Sequence, residues 1–247
     1  MDLRIAFMGT PDFAVPSLTQ LAQRYTIAGV VSQPDRPSGR GRKLIPPPVK
    51  MIAEELRISV FQPDNVNAPA SLDVIRGWEV DLICVAAFGQ ILQSDLLSMA
   101  EGGCLNVHAS LLPRWRGASP INAAILAGDS HSGVTIMKMG PGLDDGPILA
   151  QKSVVIGPEV TAGILSDRLA DLGGELLVNT IPPYMRNEID PQPQDHDQAT
   201  YEHMLEKKSG ELDFNHSAAD LARKVRAYSP WPGTFTTWDG KRLLIHQ

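Results

Sequence analysis

Over the first ninety residues, short apolar runs alternate with segments whose apolar positions recur every three to four residues. The runs at residues 3–8, 27–31 and 59–62 have the length and pattern of strands. The segments that end near Leu21 and those at 48–57 and 70–76 have helical spacing. Strand, helix, strand, helix in this order predicts an α/β fold around a mostly parallel, Rossmann-like sheet. Residues 80–88, VDLICVAAF, are almost entirely apolar, as a central strand buried on both faces must be. The segment Phe88 to Leu92 follows its carboxyl end, the rim on which open α/β sheets bind ligands.

The next strand, residues 104–108, breaks the pattern. Asn106 and His108 stand where a buried strand should be apolar, and alternation places them on one face with Leu105 and Val107 on the other. An amide can donate to a developing oxyanion, and an imidazole can exchange a proton near neutral pH. The loop Ser110-Leu111-Leu112-Pro113 leaves this strand, and Arg114-Trp115-Arg116-Gly117 leads to a helix start at Ser119-Pro120.

The remaining pattern predicts a helix over 121–126 and strands over 133–139 and 148–156. The loop between those strands, GPGLDDGPI, is tight enough to hold a carboxylate in place, with Asp144 and Asp145 as candidates. A long helical pattern with Thr161 as cap covers 161–179. Residues 182–200 turn to Pro, Gln, Asp and Asn, the composition of a linker. A helix over 217–228, the stiff turn Ser229-Pro230-Trp231-Pro232-Gly233 and a hairpin across Asp239-Gly240 end the pattern.

At 247 residues, with 43% hydrophobic content and a mean hydropathy of −0.09, the chain can bury a sizeable core. No apolar run approaches the length of a membrane span, and the N-terminus enters a strand without a signal peptide. Cys84 and Cys104 fall in strand-like apolar contexts, where buried free thiols and a reducing cytoplasm are expected, and no metal-ligand spacing is present. The net charge of −6 argues mildly against a nucleic-acid partner. That charge is uneven: from Tyr201 onward seven Lys and Arg face six Asp and Glu, a balance of +1 that leaves −7 on the first 200 residues. Arg36, Arg40, Arg42 and Lys43 crowd into a Pro- and Gly-rich stretch whose composition predicts a mobile surface loop able to reach phosphates. The turn after the first strand holds one glycine and lacks the G-x-G-x-x-G spacing of a dinucleotide site.

The run NVHASLLPRWRGASPI resembles the signature of the 10-formyltetrahydrofolate-dependent formyltransferases, closest to the members that act on initiator methionyl-tRNA. GTPDF, QPDRPSGRGRKL, LDDG and SPWPG extend the resemblance along essentially the whole chain. It implies Asn106, His108 and Asp144 as catalytic residues, and a folate site made by Phe88, Gly89, Ile91, Leu92, Ser110, Leu111, Leu112 and Pro113. It implies further that Arg36, Arg40, Arg42 and Lys43 meet the tRNA acceptor end, with 10-formyltetrahydrofolate as co-substrate and no metal. Asp145 departs from the family's usual Thr and adds a charge beside the site. The implied organisation is a catalytic domain over 1–186, a linker over 187–204 and, over 205–247, the start of a small OB-type β-barrel that is expected to be incomplete. A monomer is expected. A sugar-nucleotide N-formyltransferase with the same Asn, His and Asp is the principal alternative, and the extended cationic loop favours tRNA over a small acceptor. Glycinamide ribonucleotide formyltransferase shares the triplet without the loop, and a nucleotide-binding regulator with a degenerate site is disfavoured by the intact strings.

Overall fold

The computed structural model of the chain describes residues 2–38 and 43–246. Its strands in chain order are β1 (Arg4–Gly9), β2 (Thr26–Val31), β3 (Arg36–Ser38), β4 (Lys43–Ile45), β5 (Val60–Phe61), β6 (Leu82–Ala86) and β7 (Cys104–His108). They continue with β8 (Arg116–Gly117), β9 (His131–Lys138), β10 (Ile148–Val155), β11 (Tyr201–Glu202), β12 (Thr234–Trp238) and β13 (Lys241–Ile245). The helices are α1 (Val15–Ala22), α2 (Pro48–Glu55), α3 (Pro69–Arg76), α4 (Ser94–Leu97), α5 (Pro120–Ala127), α6 (Ala162–Met185) and α7 (Ala218–Ala227).

The main sheet runs β10-β9-β7-β6-β1-β2-β5. Its five strands from β7 to β5 are parallel, whereas β9 runs antiparallel to both its neighbours, β7 and β10. The chain grows outward from β1 in both directions, so the order reverses between β1 and β6. A crevice opens there at the carboxyl ends of the strands, where α/β sheets take their ligands.

Each face of the sheet is closed by its own apolar cluster. On one, Ile5, Phe7, Cys84, Leu105 and Val107 meet Leu18 and Leu21 of α1 and Leu165, Leu169 and Leu177 of α6. On the other, Ala6, Met8, Ile83, Val85 and Cys104 meet Leu72 and Ile75 of α3 and Leu96 of α4. Full burial of such a side chain contributes about 1.5–3 kcal/mol, so the two clusters fix the sheet between layers of helices. A Cβ on Gly173 would come 2.6 Å from Val107 Cγ1, so only glycine lets α6 cross this closely beneath β7. The strand bearing Asn106 and His108 is thereby pinned on its opposite face.

Two expectations are corrected, and the linker tract has contacts of its own. The helix set at 161–179 runs to Met185 with Pro182 and Pro183 inside it. Burial of Ile181 and a hydrogen bond from Tyr184 Oη to Gly102 O, 2.9 Å, anchor the added turn beside the amino end of β7 despite the missing amides. The stretch expected as an irregular mobile loop is bounded by a strand pair, Arg36↔Ile45 to Ser38↔Lys43, because main-chain pairing does not depend on the polar composition that suggested a loop. Arg40 and Arg42 lie outside the described residues. The tract expected as linker is fastened to the first part of the chain: Ile148 bridges Gln192, β11 pairs with β8, and Gln194 is buried. Beyond it, β12 and β13 form a two-stranded antiparallel sheet, and the described residues contain no closed barrel.

Candidate active site

β7 ends in the crevice, and its pleat turns Asn106 and His108 into a cavity of about 740 Å³ while Leu105 and Val107 enter the core. Both polar residues are buried, 8% and 5% exposed. Among the described residues nothing takes a hydrogen bond from the Asn106 side chain, so its amide is left to face the cavity.

His108 is fixed from one side. Its Nε2 lies 2.9 Å from the carbonyl oxygen of Trp115, which only accepts, so Nε2 carries the hydrogen. Nδ1 is then the nitrogen that gains or loses a proton, and it stands 3.7 Å from Asp144 Oδ2. The same carboxylate oxygen accepts the Gly117 main-chain N–H at 2.9 Å. Trp115 and Gly117, two residues apart, therefore hold the imidazole and the carboxylate respectively. Both sit at positive φ, 61° and 106°, as does Asp144 at 48°. At the two non-glycine positions, Trp115 and Asp144, strain of this kind costs about 1–3 kcal/mol per residue and persists only where the surroundings enforce it.

The enforcement comes from β11 and its approach. Thr200 Oγ1 accepts the Trp115 N–H at 2.8 Å, Thr200 O accepts that of Arg116 at 2.8 Å, and Glu202 O accepts that of Ala118 at 3.1 Å. Gly117 has no alternative here, since an added Cβ would overlap the Glu202 carbonyl oxygen.

The rest of the cavity wall is largely apolar. Phe88, Gly89, Ile91 and Leu92 line it after β6, together with Met139 to Leu143, Phe13 and Met204. Thr10 Oγ1 donates to Phe88 O at 2.9 Å, tying the first loop to this wall. Ile91 and Leu143 are 77% and 55% exposed although they border a cavity, an arrangement suited to covering a flat, apolar-faced ring. A volume of this size and composition fits a folate, with apolar faces for its ring and a few polar groups at the reacting end.

Not every expected residue lines the cavity. Ser110, Leu111, Leu112 and Pro113 are not part of its wall. Ser110 Oγ donates to Arg114 O at 2.6 Å, Thr135 Oγ1 donates to Ser110 O at 2.7 Å, and Leu112 N donates to Thr135 Oγ1 at 3.1 Å. These hydrogen bonds brace the turn behind Trp115. Asp145 also stays off the wall, its carboxylate packed against Gly142. Arg36 and Lys43 are exposed on the β3–β4 pair and are not part of the cavity wall. Asp35 roots that pair: Lys50 Nζ donates to both its oxygens at 2.9 Å and Gln62 Nε2 to Oδ1 at 2.8 Å, which holds its carboxyl below the ordinary 3.8. Burial drives the Cys84 thiol upward and that of Cys104 up to about 12, so both stay protonated and inert. No group of His, Cys, Asp and Glu among the described residues can hold a metal ion, and no described helix is long and apolar enough to cross a membrane.

The residues that sequence reasoning missed are those that arrange this site: Trp115 through its carbonyl, Thr200 and Gln194. Gln194 Nε2 donates to Asp144 O at 2.9 Å and to Gly146 O at 2.7 Å. The available signal was the R-W-R-G string beside a buried strand, read there only as a turn.

Comparison with known proteins gives a consistent picture. The family described as Formyl transferase matches residues 3–181, and the one described as Formyl transferase, C-terminal domain matches residues 204–247. The methionyl-tRNA formyltransferase of Geobacter metallireducens is 47% identical over 246 residues, 99% of this chain and 79% of that protein. That of Xanthomonas euvesicatoria pv. vesicatoria is 48% identical over 99% of this chain and 80% of its own. Among solved structures, a sugar N-formyltransferase from Shewanella sp FDAARGOS_354 superposes with a TM-score of 0.76 at 20% identity, covering 99% of this chain and 97% of that one. HypX from Aquifex aeolicus in complex with tetrahydrofolic acid superposes at 0.71 and 16% identity, over 100% of this chain and 38% of that one. At these identities the solved structures speak for the fold alone.

Proposed function

The chain belongs to the formyl transferase family, and from that premise we propose that it moves the formyl group of 10-formyltetrahydrofolate to the free amino group of initiator methionyl-tRNA. The observation that carries the chemistry is the convergence of an unpaired Asn106 amide, the His108 ring and the Asp144 carboxylate at the polar end of one apolar cavity. The choice of acceptor is supported by 45–48% identity to methionyl-tRNA formyltransferases, against 17–20% to solved structures described as sugar or likely sugar formyltransferases of the same fold.

The bound folate supplies the activated formyl group; no enzyme nucleophile is needed, because the acceptor amine attacks. Phe88, Gly89, Ile91 and Leu92 hold its ring. Asn106 donates to the formyl oxygen as negative charge develops there, a kind of contact worth about 3–4 kcal/mol in the transition state. The proton released by the amine meets Asp144 Oδ2 with His108 Nδ1 beside it, and Nε2 stays committed to Trp115 O. His108 charged at Nδ1 pairs with the carboxylate and adds positive potential near the developing oxyanion. Asp144, oriented by Gly117 N–H, keeps the ring's proton available for the departing nitrogen.

Residues 1–186 form the catalytic domain, and 205–247 contribute to holding tRNA. Arg36, Arg40, Arg42 and Lys43 grip the phosphates at the acceptor end. The working unit is a monomer, and its buried thiols suit the cytoplasm.

The test is formyl transfer from 10-formyltetrahydrofolate to methionyl-tRNA, run beside a panel of amino-sugar nucleotides. Formylation of methionyl-tRNA with none of the sugars is expected. Transfer to a sugar nucleotide alone would overturn the acceptor and leave Asn106, His108 and Asp144 in place.

A further inference from the structure

We infer that Arg116 and Gln194 form a buried positioning pair that sets the loop carrying Asp144. The tract between the helix α6 and β11 is then part of the catalytic machinery. The inference rests on Asp144 being the catalytic carboxylate.

Arg116 is 1% exposed and heads the largest fully buried side chains. Among the described residues no carboxylate pairs with it. Its guanidinium spends its donors on neutral acceptors: Nε and Nη2 on Gln194 Oε1 at 3.1 and 2.7 Å, and Nη1 on Tyr201 Oη at 3.0 Å. Nη2 also lies 3.3 Å from His196 Nδ1. Burying a cation without a counter-ion is costly, and an apolar residue of similar volume serves stability better. The charge therefore needs another explanation, and Gln194 provides it.

Two donors of one cation on Oε1 settle which end of the Gln194 amide is oxygen and hold it firmly. The other end, Nε2, is thereby aimed at Asp144 O and Gly146 O, on either side of Asp145. Meanwhile the residue after Arg116 gives its N–H to Asp144 Oδ2. The strained turn at Asp144 is thus held at its main chain by Gln194 and at its carboxylate by Gly117. Both holds originate in adjacent residues of β8. The strand pairing of β8 with β11 and the bridge between Ile148 and Gln192, at 2.8 and 2.9 Å, keep the two halves together.

The variant Q194E separates positioning from simple stability. A carboxylate there still accepts from Arg116, and adds an ion pair, but it cannot donate to the Asp144 and Gly146 carbonyls. Steady-state transfer to methionyl-tRNA by the full chain is expected to show kcat lowered about 10–100-fold, with the folate KM within about twofold and Tm little changed. Wild-type kcat in Q194E would overturn the inference, as would a loss of activity that merely follows a fall in Tm below the assay temperature. Should Q194E fail to fold, Q194N keeps the amide but is one methylene too short to span Arg116 and the loop, and the same split between kcat and KM is expected; its absence overturns the pair. D144N assayed alongside keeps the two ideas apart: if D144N retains turnover, the assignment of Asp144 fails, whereas low activity in D144N with full activity in Q194E condemns the positioning pair alone.

Discussion

Asp144 Oδ2 stands 3.7 Å from His108 Nδ1, while the opposite nitrogen of the same ring is held 2.9 Å from the Trp115 carbonyl. The gap is longer than a direct hydrogen bond, so the pair is poised instead of locked. A neutral ring presents a lone pair at Nδ1 to the carboxylate, and a proton arriving from the acceptor amine converts that repulsion into an ion pair. The ring orientation needed for this is set entirely by main chain.

The cationic loop gives a prediction readable in salt. Each phosphate neutralised by a cation steepens the fall of log K with log salt by about 0.7–0.9. Replacing Arg40, Arg42 and Lys43 together by Ala is expected to flatten that slope by about 2–3 and to raise the methionyl-tRNA KM while leaving the folate KM alone. Filter binding over a salt series measures it. An unchanged slope contradicts the assignment of these cations to phosphates.

Gly117 is constrained twice, by φ of 106° and by the Glu202 carbonyl that an added Cβ would overlap. G117A is expected to lose about 1–3 kcal/mol and to lose activity as well, since its N–H is pulled from the Asp144 carboxylate. G157A is the comparison: its Cβ meets Val160 Cγ2 at an ordinary 3.6 Å, so a change within about 0.5 kcal/mol is expected. Thermal melts of the two variants decide it, and equal Tm values contradict the steric reading.

Asp35 supplies a pH dependence with a definite sign. Its folded carboxyl titrates below the ordinary 3.8 because Lys50 and Gln62 donate to the charged form. Its stabilisation is therefore present above the unfolded value and lost as pH falls through the lower folded one. The Tm difference between the native chain and D35N should be constant near neutrality and vanish in acid. A difference that grows as pH falls contradicts this.

The strand bearing Asn106 and His108 was legible because two polar residues at alternate positions interrupt an apolar run, a local signal. Long-range arrangement was less so. Nothing in the runs at 133–139 and 148–156 tells that β9 and β10 lie antiparallel on the sheet edge, since direction depends on where the connecting loop folds back. The string around Ser110 to Pro113 likewise gave no sign of the hydrogen bonds to Thr135 and Arg114 that brace this turn. Gln194 was hidden most thoroughly. A lone amide among Pro, Asp and Gln looks like linker, and its burial follows from an arginine 78 residues earlier in the chain.

The most direct measurement is single-turnover formyl transfer by D144N together with its affinity for the folate. Asp144 meets the site through one carboxylate oxygen shared between His108 and Gly117, so the amide keeps the volume and loses the charge. The expected result is a chemical step slowed by about 10²–10⁴-fold with folate binding almost unchanged. Turnover close to that of the native chain would contradict the role of Asp144 and the proton path built on it.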